Sequence, residues 1–485
     1  MIAEHRKGLS PKTLAATLVF ITATAAPSLA DAQVKTEIAP WDERVLTEQL
    51  DFNDLAKRKD LETSDLIESG QRIFEGKYAA SDGAGRPNAT QAIVPTKRRR
   101  PAPHMFQRLA GLDSNSCASC HNAPITGGAG DFTANVFVSE GFESADFDTI
   151  DPQFSNERGT NALQGAGLLE LLAREMTAAL RAQRSQVLAD ARNTGAQATI
   201  ALNAKGVSFG TLTASPDGTL DISALDGIDD DLTVRPFGQK GVFASLRQFT
   251  VNALNHHHGL QATERFGALW TGTNDFDGDK VTNEVGPGQV SALVAWQATL
   301  PAPTRTTDLP EVWQAAATEG EVRFSEIGCA ECHRPTLPLD SLIFRDPNPY
   351  DNAGTLRPTD VDAPIELDLS KLDWVQSLPK DEQGRTLVPL FGDLKRHKIA
   401  DAARDTLGNE LLGQRFVARD VFITAELWGI GSTAPYGHRG DLTTLDEIIE
   451  AHGGEATTAR KSYSGLPDHD KQTIIAFLRS LEISK

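Results

Sequence analysis

The chain has 485 residues, 40 % hydrophobic and 23 % charged, close to globular averages, which excludes a disordered polymer. At roughly 150 residues per domain, about two to four domains are expected. Asp plus Glu outnumber Lys plus Arg by 66 to 47, a formal net charge of −19 that argues against nucleic acid or anionic lipid as a partner.

Residues 1–30 read as a secretory signal. Arg6, Lys7 and Lys12 precede an apolar run from Leu14 to Ala26, and Ser28-Leu29-Ala30 and Ala30-Asp31-Ala32 fit a small-residue cleavage site. A membrane anchor is the weaker reading, because a span needs about 20 apolar residues. Without residues 1–30 the net charge becomes −21. No later stretch is apolar enough to cross a bilayer, so an exported, periplasmic protein without a membrane span is expected.

Further along, Gly70 and Phe74 open a first unit, and a Pro- and Arg-rich loop, Pro95 to Pro103, interrupts it. The run Lys97 to Arg100 reads as a solvated loop. Residues 161–193 read as a long helix. Residues 198–223 alternate apolar and polar with Ser215-Pro216-Asp217-Gly218 as the turn, a small inserted β-hairpin. Residues 241–258 and 285–299 read as helices, and Pro301 to Thr304 as a linker. Glu311 to Ile327 reads as a helix with Trp313, Ala317, Val322 and Phe324 near one face. A last helix runs from Asp468 to Leu481, with Ile474, Ile475, Leu478 and Leu481 as its stripe.

All four cysteines fall in two copies of one pentapeptide, Cys117-Ala-Ser-Cys120-His121 and Cys329-Ala-Glu-Cys332-His333. This is the C-x-x-C-H pattern of covalent c-type haem attachment. Two thiols bond the porphyrin edge, and the adjacent imidazole becomes the proximal iron ligand. A zinc ribbon needs its second pair about 15–20 residues on, whereas here the pairs lie 212 positions apart. A redox dithiol would not require His after both pairs. Two covalently bound haem c groups are therefore expected. The fold class expected is mainly α: two cytochrome c-like helical haem domains, 31–300 and 305–485, with an insertion of helix and β-hairpin at about 161–235 in the first.

Ala434-Pro435-Tyr436-Gly437-His438-Arg439-Gly440 and Thr444-Leu445-Asp446-Glu447, after two such motifs, resemble the di-haem cytochrome c peroxidase superfamily. Gly165-Ala-Gly-Leu-Leu-Glu170, Arg235-Pro-Phe-Gly-Gln-Lys-Gly241 and Ala451-His452-Gly453-Gly454-Glu455-Ala456 are closer to its di-haem oxidoreductase, or thiol oxidoreductase, branch. The resemblance spans most of residues 65–483. Gly320 and Phe324 precede their motif as Gly and Phe do in small class I cytochromes, and the Phe-Leu-Arg-Ser-Leu ending is similar to theirs.

That resemblance implies axial ligands. The sixth ligand of the C-terminal haem follows the His438 position by fourteen residues, which is His452; the peroxidases usually carry Met there. His333 and His452 would saturate that iron, with His438 outside the first shell. His452 also reads as a helix cap before Gly453-Gly454. For the N-terminal haem, His121 is proximal, and the sixth-ligand candidates are His258, His104, Met176 or none. His258 ends the run His256-His257-His258, which also reads as an interfacial or adventitious metal-binding cluster. Met176 reads by default as packing.

Peroxide chemistry needs a base and a polarising donor near an open iron. The catalytic candidates are Glu170, with Gln164 or Arg174 as polarising groups. Glu170 reads equally as a surface residue paired with Arg174 at i+4. Asp275, Asp277, Asp279 and Asn283 place oxygen donors in a calcium-loop pattern, with Gly278 at the turn. Position twelve is Gly286 and not Glu, and Glu284 is the substitute carboxylate. The alternative is an acidic turn before the next helix.

The leading expectation is a periplasmic di-haem oxidoreductase that passes electrons from the C-terminal to the N-terminal haem, where peroxide or a related oxidant is reduced. A small redox protein would be the electron donor or acceptor. The alternative is a non-catalytic electron-transfer cytochrome with both haems six-coordinate. Thiol oxidation by the protein's own dithiol is excluded, because there are no cysteines beyond the two motifs.

Overall fold

Both Cys-x-x-Cys-His segments are single 3₁₀ turns, Cys117–Ser119 and Cys329–Glu331. Each is accompanied by a crossing of two longer helices. The computed structural model describes residues 43–46, 50–57, 63–85, 106–107, 115–131, 133–135, 138–139, 157–409 and 417–483. The expected signal segment 1–30, the Pro95–Pro103 loop and His104 lie outside the described residues.

In the first crossing, helix Thr63–Glu75 packs on helix Pro287–Thr299. The contact is at Gly70, where a Cβ would overlap the carbonyl oxygen of Ala292. In the second, helix Glu311–Glu326 packs on helix Asp468–Arg479. There a Cβ on Gly320 would overlap the carbonyl oxygen of Thr473. Glycine costs helix propensity at both places, about 1 kcal/mol relative to Ala, and allows the two backbones to touch. Pro287–Thr299 is buried from Gly288 through Ala298, so it runs through the middle of the core, with Pro287 at the first-turn position proline favours.

The buried face of Glu311–Glu326 is Ala317, Gly320 and Phe324. Trp313 and Val322, expected on that face, are 59 % and 54 % exposed. The stripe is centred on Gly320, and Trp313 lies about two turns before that crossing. On the last helix Thr473, Ile474, Phe477 and Leu478 are buried.

The long helix is Ala166–Thr194. Against it lies a three-stranded sheet of Ala198–Ala204, Val207–Ala214 and Leu220–Asp221. Lys205 and Gly206 both have positive φ, +49° and +80°, which suits the tight turn of a twisted hairpin. The expected turn at Ser215–Gly218 is present, but it joins the second strand to the third, with Gly218 N donating to Ser215 O at 2.9 Å.

The expectation of a mainly α chain with one hairpin holds only in part. Among the described residues there are six further two-stranded sheets, and the architecture is mixed. Leu337–Leu339 pairs with Thr386–Val388, Ile343–Asp346 with Ile365–Asp368, and Arg396–Lys398 with Val421–Ile423. These strands are three or four residues long, too short for a period-two pattern to stand out.

The main core joins Leu168, Leu172 and Phe209 to Leu337, Phe344, Leu367, Val388 and Leu394. Residues beyond the Pro301–Thr304 stretch thus share the core of those before it. A smaller core, including Phe324, Phe391, Tyr463 and Phe477, surrounds the C-terminal motif.

Candidate redox centres

The two motif histidines have matching surroundings. His121 Nδ1 lies 3.3 Å from the carbonyl oxygen of Gly128, and His333 Nδ1 lies 3.2 Å from that of Phe391. A carbonyl only accepts, so Nδ1 carries the proton and Nε2 keeps its lone pair. Phe74 stands 5.9 Å from the His121 ring and Phe324 stands 6.2 Å from the His333 ring. Each phenylalanine is four residues after its crossing glycine, so one helix face provides both the close approach and the ring beside the imidazole. Burial pushes both imidazoles down to about 4; at His333 the neighbouring His452 adds to it. Burial pushes the Cys117 and Cys329 thiols up to about 12.

His452 is brought to His333. It follows helix Leu445–Ala451 as its C-cap, so the capping position expected of it is real, and its Nδ1 lies 2.6 Å from Ile448 O. Burial lowers its pKa. His333 and His452 thus both have Nδ1 occupied by backbone.

At the N-terminal motif, His258 Nε2 lies 3.6 Å from Cys117 Sγ and its Nδ1 lies 3.1 Å from Asn115 Oδ1. A single turn of π-helix, Leu254–His258, delivers it; such turns recur at functional sites. Tyr78 completes this corner, its ring 5.1 Å from the His258 ring and its hydroxyl 3.7 Å from Cys117 Sγ. Met176 is fully buried in the main core, as its packing reading requires. Asn115 and Tyr78 carry no motif and were not legible as site residues.

Of the catalytic candidates, Glu170 and Arg174 are brought together and Gln164 is not. Glu170 is 1 % exposed, so its expected surface alternative is corrected, although the Arg174 pairing itself is present. Glu170 Oε1 accepts from Arg174 and, at 2.8 Å, from Asn348 Nδ2; Oε2 accepts from Leu246 N at 2.7 Å. Arg174 also donates to Arg345 O at 2.6 Å and lies over Phe344. Three of these donor groups converge on Oε1 and one on Oε2, which gives Glu170 the geometry of a buried clamp between three segments. Gln164 is 3 % exposed, next to the Gly127 turn that follows His121, and neither polar atom of its amide has a hydrogen-bond partner among the described residues.

The acidic loop closes on itself. Asp275, Asp277 and Asp279 each have a carboxylate oxygen within 4.8 Å of the others. Gly278 N donates to Asp275 Oδ1 at 2.7 Å and Val281 N to Asp279 Oδ1 at 2.7 Å. Asn283, at φ +51°, donates its backbone N–H to Asn274 O at 3.0 Å. Burial, then the neighbouring carboxylates, pushes Asp277 up to about 7 and Glu284 up to about 10. Glu284 is 4 % exposed and accepts from Gln261 N at 2.7 Å, so the substitute carboxylate is rooted in the fold.

A cluster absent from the sequence reading is His397 with Asp393 and Glu455. His397 Nε2 lies 2.8 Å from Asp393 Oδ2, Nδ1 lies 2.7 Å from Glu455 Oε2, and Cys332 Sγ is 3.9 Å away. Burial opposes protonation, yet the carboxylates outweigh it and raise the imidazole to about 11. Both ring nitrogens are taken, so the geometry is that of a hydrogen-bonded imidazolium, not a metal ligand. His397 is the middle residue of strand Arg396–Lys398, which pairs with Val421–Ile423, and Glu455 reaches it through a loop bonded to Lys398 N and Ile399 O. The same strand pair positions Phe422, whose ring lies 4.6 Å from that of buried His438.

Residues 380–481 match the family model described as "Di-haem oxidoreductase, putative peroxidase". The resemblance to di-haem peroxidase-like proteins is therefore shown over that segment. Over 80 residues the chain is 32 % identical to cytochrome-c peroxidase IdrP2 of Denitromonas iodatirespirans, covering 16 % of this chain and 22 % of that protein. The matched part is thus about a fifth of the relative's length. Among solved structures, a hydrazine synthase of Kuenenia stuttgartiensis aligns with a TM-score of 0.36 at 15 % identity, covering 91 % of this chain and 96 % of that one. A MauG-like protein associated with microbial copper homeostasis aligns with a TM-score of 0.26 at 15 % identity, covering 65 % and 88 %.

Proposed function

We propose that this chain, which over residues 380–481 resembles the di-haem, peroxidase-like oxidoreductases, is an exported periplasmic enzyme carrying two covalent haem c groups. Electrons would enter at the C-terminal haem and pass to the N-terminal haem, where peroxide or a related oxidant is reduced. The observation that carries this reading is the duplicated motif histidine, each with Nδ1 on a backbone carbonyl.

Cys117 and Cys120 would hold one haem with His121, and Cys329 and Cys332 the other with His333. When bound, haem c supplies an iron that cycles between ferric and ferrous states and, where a sixth position opens, takes an oxidant. Gly128 O and Phe391 O fix the ligand tautomers by holding the Nδ1 protons. Phe74 and Phe324 shield the proximal rings from water. His452 is assigned as the sixth ligand of the C-terminal haem, since its Nδ1 is held by Ile448 O and it faces the field of His333. His258 is assigned to the sixth position of the N-terminal haem, from which an enzyme must displace it. Gln164 keeps an unspent buried amide near that centre, whereas Glu170 is spent on structural donors.

The two halves are read as two haem units, each built on its helix crossing. The Asp275–Glu284 loop is assigned to calcium, because its clustered carboxylates, of which Asp277 and Glu284 are buried, repel one another until a cation offsets them. The acidic chain suits a basic redox protein as partner.

A specific observation favours a second reading, a pure electron carrier: His258 stands beside Cys117, ready to complete a six-coordinate haem. Low-temperature EPR of the ferric and half-reduced protein, at fixed calcium, separates the two. A high-spin ferric haem in either state, with peroxide turnover, supports the enzyme. Two low-spin haems throughout, without turnover, support the carrier.

A further inference from the structure

His397 lies between the supports of the two histidines assigned to the C-terminal haem. On one side, the Phe391 carbonyl holds His333 Nδ1, and two residues later Asp393, itself buried, accepts from His397 Nε2 at 2.8 Å and from Lys395 N at 3.0 Å. On the other side, Glu455 is three residues past His452 and accepts from His397 Nδ1 at 2.7 Å and from Lys398 N at 2.8 Å. The rest of that loop is laced to the same strand. Gly453 N donates to Ile399 O at 2.7 Å and Gly454 N to Asp401 Oδ2 at 2.8 Å. Gly454 has φ +52°, and a Cβ there would overlap the carbonyl oxygen of Lys398.

Carboxylates only accept, so contacts this short at both ring nitrogens require both to carry hydrogens. His397 is 8 % exposed and Asp393 is buried, so the bond between them is shielded from competing water, whereas the Glu455 carboxylate is half-exposed. We propose that His397 is a positioning residue for the sixth ligand of the C-terminal haem: by bridging Asp393 and Glu455 it ties the support of His333 to the loop that presents His452. This rests on the assignment of His333 and His452 made above. An iron ligand must be held to a fraction of an ångström, and a loop held at one end only would let His452 detach. Helix Leu445–Ala451 enters His452 from one side; on the other, the bridge adds a side-chain tie at Glu455 to the bonds that Gly453, Gly454 and Lys398 already make.

The test uses the full-length holoprotein. His397→Ala, His397→Gln and Glu455→Gln are compared with His452→Ala by haem content per chain, EPR spin state and thermal melting. His452→Ala is expected to turn the C-terminal haem high-spin. His397→Ala is expected to retain both haems and raise the high-spin fraction at least about tenfold, with added imidazole restoring the low-spin signal. His397→Gln and Glu455→Gln are expected to fall between wild type and His397→Ala. A role in stability alone would lower the melting temperature and leave the spin state unchanged.

If His452→Ala leaves the C-terminal haem low-spin, the ligand assignment fails and the inference falls with it. If His452→Ala turns it high-spin while His397→Ala and Glu455→Gln both stay low-spin, the assignment stands and the positioning role is overturned. If His397→Ala yields no folded holoprotein, Glu455→Gln decides alone: its side chain is 48 % exposed, and the substitution leaves the Asp393–His397 pair in place.

Discussion

Gly320 is set against the backbone of Thr473, with no room for a methyl group between them. Gly70 stands in the same relation to Ala292. Gly320→Ala is expected to cost about 1–3 kcal/mol by pushing the helices apart. Denaturant unfolding of the holoprotein checks this. A midpoint equal to that of the parent would show that the crossing yields without strain.

Glu170→Ala removes the carboxylate from a buried pair and leaves Arg174 uncompensated. The expected loss is on the order of 3–5 kcal/mol of stability, with peroxide turnover per folded molecule little changed. Stability and kcat measured together decide the matter. A collapse of kcat in a protein that melts normally would return Glu170 to proton transfer.

His258→Ala should add a high-spin ferric signal from the N-terminal haem, because it removes the imidazole nearest to Cys117. Cyanide binding should become faster in the variant. An unchanged EPR spectrum would reject His258 as a ligand.

Calcium is expected to raise the melting temperature of chelator-treated protein by offsetting the repulsion among Asp275, Asp277, Asp279 and Glu284. In Asp277→Asn the gain should shrink or vanish. Equal gains in parent and variant would move the cation away from this loop.

Asp231 provides a pH-dependent contribution. Burial pushes its carboxyl up, but the hydrogen bond and charge of Arg235 prevail and hold it at about 2, below the ordinary 3.8. A depressed folded pKa means stability that is present above 3.8 and lost as pH falls through about 2. Asp231→Asn should therefore lower the denaturant midpoint at neutral pH and converge with the parent in that acid window. A constant difference down to pH 2 would show that the pair contributes by shape alone.

Much of the chemistry was legible before any tertiary structure. The covalent haem attachment proposed for Cys117–His121 and Cys329–His333 would set their spacing, so five consecutive residues suffice to display it. Gly70 with Phe74 and Gly320 with Phe324 were visible for a similar reason: residues four apart share a helix face. Long elements were legible too, because a periodic stripe accumulates over many turns. The 3- and 4-residue strands were not, since nothing repeats within them.

Two site residues show where sequence stopped. For Glu170 the sequence showed one partner, Arg174 at i+4; Asn348 and the backbone of Leu246 reach it from 178 and 76 positions away. His397 looked like nothing at all: Asp393 is four residues before it without a motif to mark it, and Glu455 reaches it from 58 positions away. The sequence by itself determined the two Cys-x-x-Cys-His pentapeptides and the long helices, because residue spacing and periodicity act locally along the chain. Only the tertiary structure decided which carboxylates are spent as clamps, which histidines meet, and what holds them. Hydrogen bonding and burial depend on distance in space, and folding sets that distance independently of separation in sequence.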